Sequence, residues 1–336
     1  AHMPQLVRIM HVDAALSIVR KFTSDPRTFS LHAWGTPMGA LAMVLTKWHP
    51  CVANVRGKNA WLVRRQAVVE GANAQALLIR WQEECQRAWL ADAKPSIVAW
   101  PWENLHWERR FVTDAKLYGI RTIGYQHATI GRHAANQSLA SNIQGEKELP
   151  DLILCNGKAG ATQLIRWGIP NGRIKTAGAF RIPKISPIGW DPKGPVLVTL
   201  PMKHAVAREI IEALERISAS DLKFVVKVHP MTAMQFNETP NIKRTTSSLS
   251  DFQHLRAVIF AASTTGLEAL FMGLPALRFM PRATVAIDIL SPPAVAINVT
   301  AETLEFEIRN AFPGEPLAKE NFFAPIDYAL WQQSLC

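Results

Sequence analysis

Phe224 to Pro230 reads FVVKVHP, and Ala257 to Gly266 reads AVIFAASTTG. Each is a short apolar run, rich in Val or Ile, that breaks at its end. The first closes on His229-Pro230, the second on a serine and two threonines before Gly266. Runs this short, bounded by breakers, read as buried strands. Strands buried on both faces belong to parallel sheets. Working outward, Val196 to Leu200 (VLVTL) is another such run. A helix over Ala205 to Ser218 follows it, with apolar Val206, Ile210, Ile211, Leu214 and Ile217 at helical spacing. Thr265 to Met272 reads as a helix ended by Gly273, Ala276 to Phe279 as a strand, and Glu302 to Phe312 as a helix stopped by Pro313-Gly314. Strand and helix alternate, so the region from Gly194 to Phe312 is predicted to be a Rossmann-like nucleotide-binding domain.

The same alternation stands upstream. Pro95 to Trp100, Arg121 to Gln126, Asp151 to Cys155 and Ile174 to Gly178 read as strands. Helices are expected over Asn104 to Tyr118, with Gly119 as the stop, and over Lys158 to Trp167, closed by Gly168. Ala128 to Lys147 is polar and irregular, so a loop. The first ninety residues read as mixed and mostly helical, and Ala60 to Leu90 is rich in good helix formers. Ile182 to Gly194 (IPKISPIGWDPKG) holds three prolines and two glycines and reads as a linker. The fold class expected is therefore α/β, two Rossmann-like domains facing a cleft. Residues 4–181 form the first, 182–194 the linker and 195–318 the second, with 319–336 packing back across the linker.

Composition narrows the partners. A chain of 336 residues with 48% hydrophobic residues can bury two cores. The net charge of +10 favours anionic partners such as sugar nucleotides or an anionic membrane surface. The basic residues are scattered and no nucleic-acid-binding signature is present, so nucleic acid is not an expected partner. Cys51, Cys85, Cys155 and Cys336 have no metal-binding spacing and suggest a reducing compartment, the cytoplasm. No apolar run reaches the roughly 20 residues of a membrane span. Ala1-His2-Met3 reads as a remnant of tag removal and is set aside.

In open parallel sheets, ligands bind beyond the carboxyl ends of the strands. His229 sits at such an end and can donate a hydrogen bond to a phosphate oxygen. Ser263, Thr264 and Thr265 lie between strand and helix, where hydroxyls and backbone N–H groups suit an anion. Glu268, one turn on, could take ribose hydroxyls; Thr265-x-x-Glu268 also fits a capping box that needs no ligand. Lys203, with His204, follows the first strand of the second domain and can reach the same phosphate. In the first domain, Glu103 follows a strand directly and can serve as a general base. Glu108 is either a second carboxylate or a helix N-terminal acid favoured by the dipole. His127 stands at a strand end before Arg132-His133 and could act in binding or proton transfer; His106 is a weaker candidate. The absence of GxGxxG, Walker, HExxH and GxSxG motifs argues against dehydrogenase, P-loop, zinc-protease and serine-hydrolase readings.

Two stretches carry a resemblance. Pro150 to Arg181 (PDLILCNGKAGATQLIRWGIPNGRIKTAGAFR) resembles the end of the N-terminal domain of a GT-B glycosyltransferase, and Ser263 to Phe279 (STTGLEALFMGLPALRF) resembles the donor-binding strand–helix–strand of that fold. The His-Pro pair followed by a Ser/Thr cluster is similar to bacterial sialyltransferases, polysialyltransferases and Kdo transferases. The WEN…WE…GYQHA stretch looks like bacterial surface-carbohydrate biosynthesis proteins. The resemblance implies a transferase moving an acidic sugar from a CMP-activated donor to a bacterial surface glycan. It also implies that His229, Ser263, Thr264 and Thr265 hold the donor phosphate. Lys203 and Glu268 join the donor side by position. The acidic motif of sialyltransferases is not visible, so Glu103 enters as base on its strand-end position, with His127 and His229 completing the catalytic set. No DxD-like motif is present, so the expected site holds no metal, and the donor nucleotide sugar takes the place of a cofactor. The expected partners are that donor and a glycan or lipid-linked acceptor, at the cytoplasmic, inner face of the membrane. The alternatives are a UDP-sugar epimerase or UDP-sugar glycosyltransferase of the same fold, a CDP-polyol phosphotransferase (CDP-glycerol glycerophosphotransferases share a similar pair), and a non-catalytic binding module.

Overall fold

A computed structural model describes residues 31–45, 55–71, 74–183, 185–217, 221–230, 232, 234–282 and 284–336. Residues 1–30 and Cys51 lie outside the described residues. The chain is an α/β protein built on two parallel sheets.

The first sheet is β1 (Ile97–Pro101), β2 (Arg121–Gln126), β3 (Leu152–Cys155) and β4 (Ile174–Thr176), all parallel and in sequence order. Helices α1 (Pro37–Leu45), α2 (Ala60–Gly71) and α3 (Ala74–Ala93) precede it. The stretch over residues 60–90, rich in helix formers, carries α2 and most of α3. α4 (His106–Leu117) and α5 (Lys158–Arg166) cross over between strands. Side chains alternate across the sheet as the pleat requires. Val98, Trp100, Ile153 and Cys155 pack with Trp89, Leu90, Phe111, Val112 and Leu164 on one face. Ile97, Ala99, Leu152 and Leu154 take the other face.

The second sheet has β6 (Val196–Thr199), β7 (Phe224–Lys227), β8 (Ile242–Thr245), β10 (Ala257–Phe260), β11 (Ala276–Phe279) and β12 (Ile297–Val299). Its spatial order is β12-β11-β10-β6-β7-β8, again all parallel. Counted within this unit, that is the doubly wound order 3-2-1-4-5-6 read from the other edge. α6 (His204–Arg216) and α8 (Leu304–Arg309) cover one face through Val206, Ile210, Leu214, Leu304 and Ile308. α7 (Thr265–Phe271) covers the other with Phe322 and Phe323. The helix after the last strand is shorter than the predicted 302–312: Thr303 and Asn310 are its caps, and Asn310 departs from helical geometry. Two edge strands, β8 and β12, were not expected. Within the proline-rich 182–194 stretch, β5 (Gly189–Trp190) pairs with β9 (His254–Leu255), and Ile188 is buried in the second core, which fastens that stretch to the second sheet.

Loops from the carboxyl ends of strands in the two sheets meet. Gly131 to His133 follow β2, and Asp288 to Leu290 follow β11. Arg132 Nη1 pairs with Asp288 at 2.9 Å and its Nη2 donates to the Ala294 carbonyl at 2.8 Å. His133 Nδ1 accepts from the Asp288 amide at 3.0 Å. Arg278 flanks the same carboxylate at 3.6 Å. A side chain at Gly131 would run into the Asp288 backbone. Farther on, α9 (Tyr328–Leu335) lays Leu330, Trp331 and Leu335 on the β1–β3 face of the first sheet. The chain between Phe323 and α9 passes so close to Gly178, which has φ +83°, that neither a side chain nor ordinary backbone geometry would fit there.

Candidate active site

Glu103 stands just beyond β1. Its backbone is held from both sides. Glu108, in the first turn of α4, takes the amide hydrogens of Glu103 at 3.0 Å and Leu105 at 2.7 Å, and Asn136 Nδ2 donates to the Glu103 carbonyl at 2.7 Å. Between them Asn104 turns the chain with φ +57°. Asparagine tolerates that left-handed geometry better than most residues. Its buried Nδ2 donates to Asn136 O at 2.7 Å and Asn142 Oδ1 at 2.8 Å. The helix predicted to start at Asn104 starts two residues later for this reason. Glu108 is therefore a backbone clamp and not a second reactive carboxylate. It is 1% exposed, and burial pushes its carboxyl up to about 8 against the opposing pull of the Leu105 and Glu103 amides.

With its backbone pinned, the half-exposed Glu103 side chain places Oε1 3.8 Å from His127 Nε2. His127 caps the tip of β2. Its carbonyl accepts from Asn156 Nδ2 at 2.6 Å, and Asn156 caps the tip of β3. Three neighbouring strand tips are thus linked, and the pair on top is an acid and an imidazole within reach of one small group.

The tips of the second sheet carry the other predicted residues. β6 and β10 are the neighbours at which the strand order reverses, the place where open α/β sheets bind ligands. Lys203, after β6, donates to Thr284 Oγ1 at 2.5 Å and so joins the loops of β6 and β11, the strands flanking β10. After β10, Ser263 Oγ and Thr265 Oγ1 lie 3.0 Å apart, and Ser263 Oγ also takes the Thr265 amide at 3.3 Å. Thr264 is exposed and makes no side-chain cap bond. The capping box read on Thr265 and Glu268 does not form. Thr264 is the cap residue, so Glu268 falls one position too far along. His229, partly exposed, sits at the tip of β7. Its carbonyl accepts from the Thr232 amide at 3.0 Å, while buried Thr232 Oγ1 donates to Met202 O at 3.1 Å. That bond draws the His-Pro turn toward the β6 loop. Glu268 is half-buried; burial raises its carboxyl, and Lys227 and Arg181 oppose the rise. Arg181 follows β4 and Lys227 ends β7, so segments from both sheets contribute to this charge cluster.

Reading the sequence missed Asn104, Asn156, Lys227, Arg181 and Asp288. Asn156 and Lys227 stand at strand ends and follow from the same rule that selected His127 and His229. Among the described residues no group of three or more His, Cys, Asp or Glu could hold a metal ion.

No protein-family model matches the sequence, and no curated protein matches it. Among solved structures the chain is similar to UDP-N-acetylglucosamine 2-epimerase from Rickettsia bellii, at 14% identity and TM-score 0.44 over 97% of this chain and 89% of that one. It is similar to the glycotransferase of kitacinnamycin at 14% identity and TM-score 0.45, over 81% and 84%. It is also similar to the apo form of the lipopolysaccharide outer core galactosyltransferase WaaB at 12% identity and TM-score 0.38, over 68% and 69%. At such identities, and with TM-scores below one half, these likenesses carry no argument about activity. The geometry of the strand tips carries it.

Proposed function

We propose that the chain is a glycosyltransferase of the GT-B type that moves an acidic sugar from a CMP-activated donor to a bacterial surface glycan. The observation that carries this reading is the grouping of His229, Lys203 and the Ser263–Thr265 hydroxyls on adjacent strand tips around the reversal point of the second sheet. Hydroxyls, an imidazole and an ammonium suit a phosphate. The carboxyl edge of the first sheet carries Glu103 and His127, and the loop after His127 reaches the second unit through Arg132 and Asp288. In the reaction, Glu103 takes the proton of an acceptor hydroxyl as that oxygen bonds to the anomeric carbon. The bond from that carbon to the phosphate oxygen breaks, and CMP departs with the electron pair. His229 and the hydroxyl cluster stabilise the charge on the leaving phosphate. His127, with Nε2 3.8 Å from Glu103 Oε1, holds the Glu103 carboxylate toward the acceptor. Glu268 is placed to take ribose hydroxyls.

Association with an anionic membrane surface fits the exterior of the helical region. Met38, Leu41 and Leu45 on α1, and Trp61, Leu62 and Val68 on α2, are each more than half exposed, beside exposed Arg64 and Arg65. Apolar side chains, a tryptophan and arginines together suit a headgroup layer. Among the described residues no helix is long and apolar enough to cross a membrane.

Calorimetric titration with CMP, CDP, UDP and GDP tests the reading. CMP is expected to bind best, and His229→Ala to weaken it by about tenfold or more, the loss of one charge-assisted hydrogen bond. Preference for UDP would replace the reading with an epimerase or UDP-sugar transferase. Binding of no nucleotide would overturn it.

A further inference from the structure

α5 leaves the tip of β3 directly, and Lys158, Thr162 and Arg166 stand at successive four-residue steps along it, so they share one face. That face looks onto Pro292 and Pro293, and between them lies a cavity of about 300 Å³. Its lining holds no acidic side chain. Neither Lys158 nor Arg166 has an ion-pair partner among the described residues. Gln163 also lines the cavity. It is 6% exposed, and its side-chain amide makes no hydrogen bond among the described residues. A side-chain amide without protein partners that borders a cavity can be satisfied from within it.

We propose that this cavity binds an anionic saccharide, a sugar unit carrying a phosphate or a carboxylate. The two cations take the anionic group. The Gln163 amide and the Thr162 hydroxyl take ring hydroxyls in both senses, since each can donate and accept. The two proline rings offer the flat apolar wall on which a sugar's C–H face rests. The volume lies at the small end of ligand pockets, the size for one or two sugar rings rather than a nucleotide sugar. Asn156, two residues before Lys158, holds the His127 carbonyl, so the cavity shares its scaffold with the proposed acceptor-side pair. Resting on the transferase reading, the site is the seat of an acidic unit of the acceptor, separate from the donor phosphate site.

The full chain would be titrated with glucose 6-phosphate, glucuronic acid, glucose and inorganic phosphate, followed by ligand-observed NMR. One or both anionic sugars are expected to bind at least about tenfold more tightly than glucose or phosphate alone. The double variant Lys158→Ala/Arg166→Ala is expected to lower that affinity by about tenfold with CMP binding unchanged. Gln163→Leu, which keeps the buried volume, is expected to weaken the sugar without weakening phosphate. Inorganic phosphate binding as tightly as glucose 6-phosphate, or unchanged affinity in the double variant, would overturn the site. A protein that binds CMP but neither anionic sugar would overturn this site alone. One that binds the sugar but not CMP would overturn the donor reading and leave this site standing.

Discussion

The tips of the two sheets are built in different ways. Around Glu103, the backbone is clamped by side chains: buried Glu108 and Asn104 and exposed Asn136 each bond a main-chain group there. Around Ser263, the hydroxyls bond chiefly to one another and to a single amide. The first arrangement fixes the backbone from which one carboxylate extends. The second leaves short, adaptable donors at a sheet edge. A group that must remove a proton gains from a fixed position, whereas a phosphate site gains from donors that can turn to several oxygens. The contrast matches the roles proposed for the two edges.

It can be broken most directly at Glu103. Glu103→Gln keeps the shape but removes the charge and the base, so CMP release from a CMP-linked acidic sugar with acceptor present is expected to fall about a hundredfold to ten-thousandfold. CMP affinity, measured by calorimetry, is expected not to change. Equal turnover in the variant would place the base elsewhere.

The clamp itself predicts a pH dependence. The Glu108 carboxyl is raised from 4.5 to about 8 in the folded chain. Between those values the folded state holds a proton that the unfolded state has lost, so stability contributed by this group falls as pH rises through that window. Glu108→Gln is expected to flatten the decline, with a difference of about 2–4 kcal/mol between pH 5 and 8 in denaturant unfolding. Parallel pH curves for the two proteins would show that Glu108 ionises normally and that the clamp is looser than described.

The smallest effect is expected at the adaptable edge. Ser263→Ala/Thr265→Ala should weaken CMP by about tenfold, near 1.4 kcal/mol, and leave the melting temperature almost unmoved. A large drop in melting temperature instead would mean that these hydroxyls brace the fold, and the two edges would no longer differ in kind.

The readable parts of the fold are those where burial is complete. β6, β10 and β11 are buried at every position, and their sequences are short runs that are apolar but for Thr199 and Arg278. The edge strands escaped. Only Ile242 is buried in β8 and only Val299 in β12, so neither has a run to read. The site follows the same division. His127, His229 and Ser263 could be found because strand breakers mark sheet tips. Asn104 could not, since a left-handed residue inside a polar turn leaves no periodic trace. The Arg132–Asp288 pair joins residues 156 apart, and no local pattern encodes such a partner. Glu108 was legible as a helix-start acid, and its carboxylate does serve that end of the helix.

The α9 helix has a consequence for how the chain is made. It closes one face of the first sheet with Leu330, Trp331 and Leu335, while Phe322 and Phe323, just before it, are anchored in the second core. Among the described residues, α9 is the helix that covers Ile123, Leu152 and Leu154 on that side, and it follows the whole second half in the chain. A face of the half translated first is thus closed by a segment translated after the second half, and a folding intermediate that lacks it would expose that apolar surface.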